Sequence, residues 1–297
     1  MASPFGFLNA LKPPGLTSTA FGTWVRRAYG GAPIGHWGTL DPAACGVLVL
    51  AVGNATRLLP LLAPSTKRYS FELVLGASTD TGDATGVVTM TGPVPAGWRE
   101  RLPQVAAGLI GPLEQVPPMY SAVKVEGRPL YVRARKGERI ARTARHVRVL
   151  ALDVVAAFER GARMVVECES GLYVRSLCEE IGARLGAPAH MGALVRTAAG
   201  PFCVDASRLP DEIAAQPLDC LLDPLDVLAL PRVALDQAAT QRFVHGNRVQ
   251  LDERDHASTA HPRAILVLHG NRLIGVGSLR DGRLEPRRVF NDDANHP

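Results

Sequence analysis

The apolar positions in the first two thirds of the chain form short runs that predict strands and helices in irregular order. The run at 47–52, Val-Leu-Val-Leu-Ala-Val, contains no polar position and predicts a buried strand. Further strands are predicted at 7–11, 68–75, 147–158 and 163–169, and helices at 18–29, 55–62, 99–110 and 176–185. Because these elements lack a regular strand–helix–strand rhythm, they favour an α+β fold over a doubly wound sheet.

From about residue 230 the pattern changes to short apolar segments separated by turns. The strand candidates are 244–251, 264–268, 273–279 and 284–290. Gly-Asn at 270–271 and Asp-Gly at 281–282 are typical hairpin turns. We therefore predict two domains, a larger α+β domain at 1–228 and a small all-β domain at 229–297.

The polar segment with the clearest chemical meaning is 35–42, Gly-His-Trp-Gly-Thr-Leu-Asp-Pro. Gly35 and Gly38 permit positive φ and close backbone approach. Pro42 disfavours the α region for the residue before it, which predicts an extended backbone at Asp41. The loop suits a carboxylate held in a fixed position in a cavity. An Asx turn before proline is the structural alternative.

Segment 35–42 resembles the aspartate motif of the TruB family of pseudouridine synthases. Other segments match that family in the same order along the chain: 11–18, 67–69, 118–124, 171–177 and 194–197. The resemblance implies a pseudouridine synthase catalytic domain, with a mixed, largely antiparallel sheet flanked by helices. The all-β segment resembles a PUA domain, a small RNA-binding β-barrel.

The family resemblance implies a reaction that breaks the N1–C1′ bond of uridine and joins C1′ to C5. Nothing is oxidised, hydrolysed or phosphorylated, so no cofactor and no metal are expected. Asp41 is implied as the nucleophile, attacking C1′ or C6 or promoting elimination to a glycal. Arg175 is implied as its ion-pair partner, which offsets the effect of desolvation on the carboxylate. Tyr69 is implied to stack on the base and remove the C5 proton.

The remaining site residues concern RNA binding, because a uridine inside a folded stem-loop must be flipped out of its stack. The resemblance implies that His36 fills the vacated space and that Tyr173 and Leu194 close the pocket. Core packing is the alternative for the last two. Lys12 is expected to brace the loop, with phosphate contact as the alternative. Trp37 departs from the family pattern, which has a small hydroxyl residue there.

Positive charge is concentrated in one segment, although the net charge is only +5. Between 124 and 148 there are nine basic and two acidic residues. A solvated helix and loop is one interpretation, and a lobe that contacts RNA phosphates is the other. The residues proposed for phosphate contact are Arg128, Arg133, Arg135 and Lys136.

Composition narrows the class of protein further. A chain of 297 residues with 46% hydrophobic residues is long enough for two globular domains. It lacks an apolar stretch of membrane-spanning length and a signal-peptide pattern at its start. Five scattered cysteines without C-x-x-C spacing indicate reduced thiols, as in a cytoplasmic protein. The acidic segment 80–83 lacks the alternation of a calcium loop and is interpreted as structural.

Together these features predict a guide-independent pseudouridine synthase of the bacterial TruB type, acting on the T-arm loop uridine of tRNA (position 55). We expect a monomer that binds the T arm and the acceptor stem, with no obligatory protein partner. The alternatives are a guide-dependent subunit of a ribonucleoprotein and a non-catalytic tRNA-folding chaperone. A carboxylate glycosidase is disfavoured because no motif supplies a second acid.

Overall fold

The computed structural model describes residues 3–62, 65–121, 124–125, 128–129, 133, 138, 140–251, 264–280 and 282–290. The α+β fold predicted from the sequence is confirmed. A nine-stranded sheet forms the centre of the larger domain, and a five-stranded sheet lies near the end of the chain. Within the described residues, no helix is long and apolar enough to cross a membrane.

The large sheet is mixed and largely antiparallel. Its main path runs β1-β3-β12-β4-β11-β10-β7, with β2 paired to β3 and β13 paired to β12. The strands are β1 (Gly6–Lys12), β2 (Ile34–Trp37), β3 (Cys45–Val52), β4 (Lys67–Leu75), β7 (Gly111–Gln115), β10 (Arg145–Phe158), β11 (Gly161–Cys168), β12 (Ala189–Ala199) and β13 (Phe202–Cys203). Two short hairpins lie outside it, formed by β5 (Ala77–Thr79) with β6 (Val88–Thr91) and β8 (Lys124–Val125) with β9 (Arg128–Pro129).

Helices cover one face of this sheet and form the main core with it. They are α1 (Ser18–Ala28), α2 (Trp98–Ala107), α3 (Val174–Leu185) and α4 (Pro210–Ala215). Helix α5 (Pro224–Val227) and the 3₁₀ helix Gly53–Leu61 pack on the opposite side, and α6 (Gln237–Val244) packs against the C-terminal sheet. Further 3₁₀ helices are Val204–Ala206 and Leu218–Cys220. The predicted helix at 18–29 begins as expected, but its cap is Thr17, whose side chain accepts a hydrogen bond from the Ala20 N–H at 3.0 Å. The side chain of Ser18, the first residue of the helix, is hydrogen-bonded to the backbone of Leu40, next to the aspartate loop.

The position of strand β3 between two cores explains why its sequence is an unbroken apolar run. Leu48, Leu50 and Val52 face the helices, in the main core. Val47 and Val49 face the opposite side, in a second core that includes residues of the C-terminal sheet. Because β3 is buried on both faces, each of its positions from 47 to 52 is apolar.

The C-terminal sheet has the order β14-β16-β17-β18-β15. Its strands are β14 (Arg232–Ala234), β15 (Val249–Gln250), β16 (Ile265–His269), β17 (Arg272–Arg280) and β18 (Arg283–Val289). Leu266, Leu273 and Phe290 pack in the second core beside β3. The Arg57 guanidinium lies 5.3 Å from the centroid of the Phe290 ring, which adds a cation–π contact between the two sheets.

Two sequence predictions need correction. The segment 55–62 is part of a 3₁₀ helix, Gly53–Leu61, with Pro60 inside it. The strand predicted at 244–251 is wrong for most of its length, because the chain is helical up to Val244 and only Val249–Gln250 is a strand. Gly246 has φ 83° and ends the helix in the left-handed conformation, so the apolar positions around it serve a helix end rather than a strand.

Candidate active site

The Asp41 loop connects β2 to β3 and is shaped by the glycines on either side. Gly38 has φ 82°, which glycine adopts without strain. At Gly35 the constraint is space, since an added Cβ would lie 2.7 Å from the Leu59 side chain. The Asp41 side chain is 31% exposed, so one part of its carboxylate is open and the other is covered by protein.

Arg175 covers the closed side of the carboxylate from the second position of α3. Its Nε lies 2.9 Å from Asp41 Oδ2, an ion-pair contact that lacks hydrogen-bond alignment, and its Nη2 donates to Oδ1 at 3.2 Å. The guanidinium also donates to the carbonyl oxygens of Thr81 and Tyr120, each at 2.8 Å. Arg175 is 3% exposed, so these contacts fix both the arginine and the carboxylate.

The surroundings of Asp41 act on its charge in opposite directions. Burial raises the pKa of the Asp41 carboxyl above its ordinary value, and the charge of Arg175 offsets part of that shift. Asp83 raises the same pKa further, although less than burial does. Without Arg175 the carboxyl would therefore hold its proton to a higher pH.

A cavity of about 230 Å³ opens in front of the carboxylate. Pockets for drug-sized ligands measure about 300–1,000 Å³, so this cavity is somewhat smaller than those. Among the residues that line it are Asp41, Tyr69, Tyr173, Arg175 and Leu194. The fold thus brings together all three sequence-predicted catalytic residues and the two residues predicted to close the pocket.

Tyr69 forms part of the pocket wall from strand β4. Its side chain is 8% exposed and belongs to the main core, so it serves both packing and the pocket. Burial raises the pKa of the Tyr69 hydroxyl, and the charge and hydrogen bond of Arg196 offset part of that shift. A buried aromatic ring beside an open carboxylate offers an apolar surface on which a base can stack.

Comparison with known proteins gives the family. Residues 26–174 match the family model for the TruB family pseudouridylate synthase N-terminal domain, and 175–229 match that for the tRNA pseudouridylate synthase B C-terminal domain. Residues 231–290 match the model for the C-terminal part of pseudouridine synthase II TruB. The chain belongs to the TruB family. The resemblance identified from the sequence motifs is thereby confirmed.

Two relatives within the TruB family align over most of the chain, and both are named tRNA pseudouridine synthase B. The protein of Caldanaerobacter subterraneus subsp. tengcongensis is 35% identical over 288 residues, which is 96% of this chain and 99% of that protein. The protein of Azoarcus sp. is 38% identical over 290 residues, covering 96% of this chain and 94% of that protein.

Solved structures match over the whole fold. A chain in a Cbf5–Nop10–Gar1 complex matches with a TM-score of 0.70 and 26% identity, over 98% of this chain and 86% of that one. A chain in an archaeal box H/ACA sRNP Nop10–Cbf5 complex matches with a TM-score of 0.67 and 22% identity, over 98% and 87% of the two chains. The likeness shows a pseudouridine synthase fold with a PUA-like C-terminal domain.

Lys12 lies beneath the TruB-family aspartate loop and is fully buried. Its Nζ donates to the carbonyl oxygens of Pro13 at 2.8 Å, Pro42 at 3.3 Å and Ala44 at 2.7 Å. Burial lowers its pKa to about 8. Of the two roles considered from the sequence, bracing the loop fits this position, because the ammonium is enclosed by the carbonyls around Asp41.

Arg196 is a site residue that the sequence predictions did not select, although the family segment 194–197 contains it. Its side chain is fully buried and donates to the carbonyl oxygens of Val47 at 2.7 Å, Gly38 at 3.1 Å and Thr39 at 3.4 Å. Gly46 has φ 105°, and an added Cβ would collide with the Arg196 backbone. The signal in the sequence was a charged residue within a strand otherwise made of apolar and small residues.

His36 lies on β2 and lines a second cavity, of about 570 Å³, between that strand and α1. Its Nδ1 is buried and has no hydrogen-bond partner among the described residues. Burial lowers the pKa of the imidazole, which favours the neutral form. His36 is therefore five residues from the catalytic candidate Asp41 but faces a different part of the surface.

The basic segment 124–148 is described only in part. Arg128 lies in β9 and Arg133 is partly buried, whereas Arg135 and Lys136 lie outside the described residues. Arg142 donates to the carbonyl oxygen of Pro117 at 3.0 Å, which joins the end of the segment to the pocket side of the large domain. The phosphate contacts expected of this segment stay predictions.

The acidic segment 80–83 is more than a structural turn, because it borders the site. Arg175 donates to Thr81 O, and the Asp83 carboxylate accepts from the hydroxyl groups of Thr81 at 2.8 Å and Thr85 at 2.6 Å. Asp83 also contributes to the raised pKa of Asp41. The segment therefore places negative charge near the nucleophile candidate as well as shaping the chain.

Proposed function

We propose that this protein converts uridine to pseudouridine in the T-arm loop of tRNA, at position 55, without a guide RNA. The observation that supports this most directly is the Asp41–Arg175 ion pair, which lines the same small cavity as Tyr69. Relatives named tRNA pseudouridine synthase B align over 96% of the chain at 35% and 38% identity.

The proposed chemistry assigns one task to each wall of the pocket. Asp41 acts on the nucleoside in its ionised form. Arg175 favours that form by lowering the Asp41 pKa, which burial raises. The N1–C1′ bond breaks, the base turns, and C5 bonds to C1′. C5 then loses its proton, which the Tyr69 hydroxyl is assigned to remove, and N1 gains a proton, so that the ring regains its conjugation. Tyr173 and Leu194 hold the base between apolar surfaces and exclude water.

RNA binding is proposed for surfaces outside the pocket. His36 occupies the space left by the flipped uridine, and the basic segment 124–148 contacts phosphates through Arg128, Arg133, Arg135 and Lys136. The PUA-like domain, with its boundary at 228/229, contacts the acceptor stem. We further propose that the protein works as a cytoplasmic monomer without an obligatory protein partner.

The test uses the purified protein, an unmodified tRNA transcript and no added cofactor. Pseudouridine is mapped by carbodiimide adduct formation and primer-extension stops. Wild type is expected to give a stop at the T-loop uridine, and Asp41→Asn to give none while still binding tRNA. Asp153→Asn is the matched control, because Asp153 is an exposed strand residue outside the pocket.

Two outcomes would point elsewhere. A stop that appears only after a guide RNA and partner proteins are added would favour the guide-dependent alternative, which the likeness to Cbf5 complexes keeps relevant. Tight tRNA binding with faster tRNA folding but no stop for wild type would indicate a chaperone without catalysis.

A further inference from the structure

Lys67 is a basic residue in the pocket wall for which the proposed chemistry has no task so far. It is the first residue of β4 and lines the same cavity as Asp41. Tyr69 follows two positions later, so the two side chains leave the strand on the same face. Lys67 is half-buried, which places its ammonium inside the site rather than on open surface.

The Lys67 ammonium lies close to Gly38, a glycine of the Asp41 loop. A Cβ added at Gly38 would lie 3.1 Å from Lys67 Nζ and 3.4 Å from Arg196 Nη1. Two cations therefore approach the same point at the base of the Asp41 loop. Arg196 uses its donors on the loop carbonyls and on Tyr69, whereas no hydrogen bond or ion pair joins the Lys67 ammonium to another described residue.

The groups that face Lys67 from neighbouring elements do not neutralise it. Arg196 on β12 has the same sign of charge. Cys168 on β11 is opposite Lys67 in the sheet, and burial raises its pKa to about 12, so the thiol is neutral. Asp41 is paired with Arg175, and Glu169 is an exposed residue of the pocket lining. Burial, with a smaller effect of Arg196, lowers the pKa of Lys67.

The proposed reaction creates a negative charge for which this cation is placed. When the N1–C1′ bond breaks, its electron pair stays on N1, and the detached uracil is an anion whose charge is shared with O2 and O4. Asp41 on one wall supplies no positive charge in any of these routes and therefore cannot stabilise that anion. A cation on another wall of the same small cavity can, because charge interactions are strong where water is excluded.

We propose that the Lys67 ammonium binds a carbonyl oxygen of the detaching uracil and stabilises the charge that the base carries between bond breaking and rejoining. This assignment rests on the proposed function. It makes Lys67 a further catalytic residue, with Arg196 as the positioning residue that holds the loop against it.

The experiment measures tritium release from tRNA labelled at C5 of uridine, with the enzyme in excess so that one turnover is observed. Lys67→Met is expected to lower the rate at saturating enzyme by about 10²–10³-fold, as for the loss of one charge-stabilising donor. Its tRNA affinity is expected to stay within about twofold of wild type. Arg68→Met is the matched control, since Arg68 is the next basic residue on β4 and points to the exposed, opposite face.

A second variant tests the charge itself. In wild type the rate is expected to fall on the alkaline side as Lys67 loses its proton. In Lys67→Arg the cation stays protonated, so this fall is expected at higher pH even if the maximal rate is reduced. A purely structural lysine would not move the alkaline limb, so an unchanged limb would overturn the assignment.

The remaining outcomes are also decisive. A phosphate contact would give a different result: tRNA affinity in Lys67→Met would be weaker and less dependent on salt than in wild type, and the rate at saturation would be unchanged. That result would overturn the uracil assignment. An unchanged rate in Lys67→Met would overturn it while leaving the proposed function intact. Absence of release by wild type would overturn both.

Discussion

Two buried arginines hold the Asp41 loop, and they do so in different ways. Arg175 is 3% exposed and contacts the carboxylate itself, on the side that protein covers. Arg196 is fully buried and contacts backbone carbonyl oxygens at the base of the loop. The first region controls the charge of the loop and the second controls its shape. The carboxylate and the backbone of its loop are thus supported by different side chains: Arg175 contacts the carboxylate, and Arg196 contacts the carbonyl oxygens of the loop.

The largest effect is expected from Arg175→Met. Because the charge of Arg175 lowers the Asp41 pKa, its removal raises that pKa, and the carboxyl holds its proton to a higher pH. The single-turnover rate at neutral pH should fall by about 10²–10³-fold, and the acid limb of the pH–rate profile should move to higher pH. Arg184→Met, a change in the exposed part of the same helix, is the control. An unmoved acid limb would contradict the electrostatic role of Arg175.

Arg196→Met should affect stability more than charge. The substitution leaves the carbonyl oxygens of Val47, Gly38 and Thr39 without this donor, at about 1–3 kcal/mol for each buried group that stays unsatisfied. Denaturant unfolding should show a loss of about 2–4 kcal/mol. The acid limb of the pH–rate profile should stay where it is in wild type. A shift of the acid limb as large as that in Arg175→Met would show that Arg196 also controls the charge of Asp41.

Gly46→Ala tests the geometric support from the opposite strand. Gly46 has φ 105°, and an added Cβ would collide with the Arg196 backbone. Strain and collision together should reduce the free energy of unfolding by about 2–4 kcal/mol. Gly15→Ala is the matched control, because Gly15 has φ 90° but open space around it, so only the strain of about 1 kcal/mol is expected. Equal losses would show that the contact with Arg196 is unimportant.

Lys12→Met should be visible as a change in the pH dependence of stability. The pKa of Lys12 is lowered to about 8 in the folded protein from 10.5, so the unfolded chain binds more protons between these values. Because the shift is about 2.5 pKa units, wild-type stability should rise relative to that of Lys12→Met by about 3 kcal/mol as pH increases from about 8 to 10.5. Parallel pH–stability curves would mean that the burial of Lys12 does not perturb its titration.

The sequence predicted best where one physical rule dominated. The apolar run at 47–52 required burial on both faces, and β3 is buried on both faces. The Asp41 loop was predicted from glycine and proline chemistry. The strand prediction at 244–251 failed because apolar spacing alone does not distinguish a strand from the end of a helix, and Gly246 in the left-handed conformation decides the outcome.

The site itself depended on contacts between distant residues. Asp41 and Arg175 are 134 positions apart, and only the family resemblance linked them before the structure placed them 2.9 Å apart. Arg196 and Lys67 were not selected, because a basic residue in a strand is usually on the surface. Their burial follows from how β4 and β12 pair beside the Asp41 loop, which single-sequence patterns do not encode.

The second core also bears on the order in which parts of the protein are completed during synthesis. The row of apolar side chains on the outer face of β3 is covered in part by Leu266, Leu273, Val276 and Phe290, which are synthesised after the other buried residues of that core. A nascent chain ending before residue 264 exposes that row, and exposed strand faces recruit other chains. Arg175 and Arg196 precede these residues in the chain, so the two supports of the Asp41 loop are synthesised before the cover of the second core is complete.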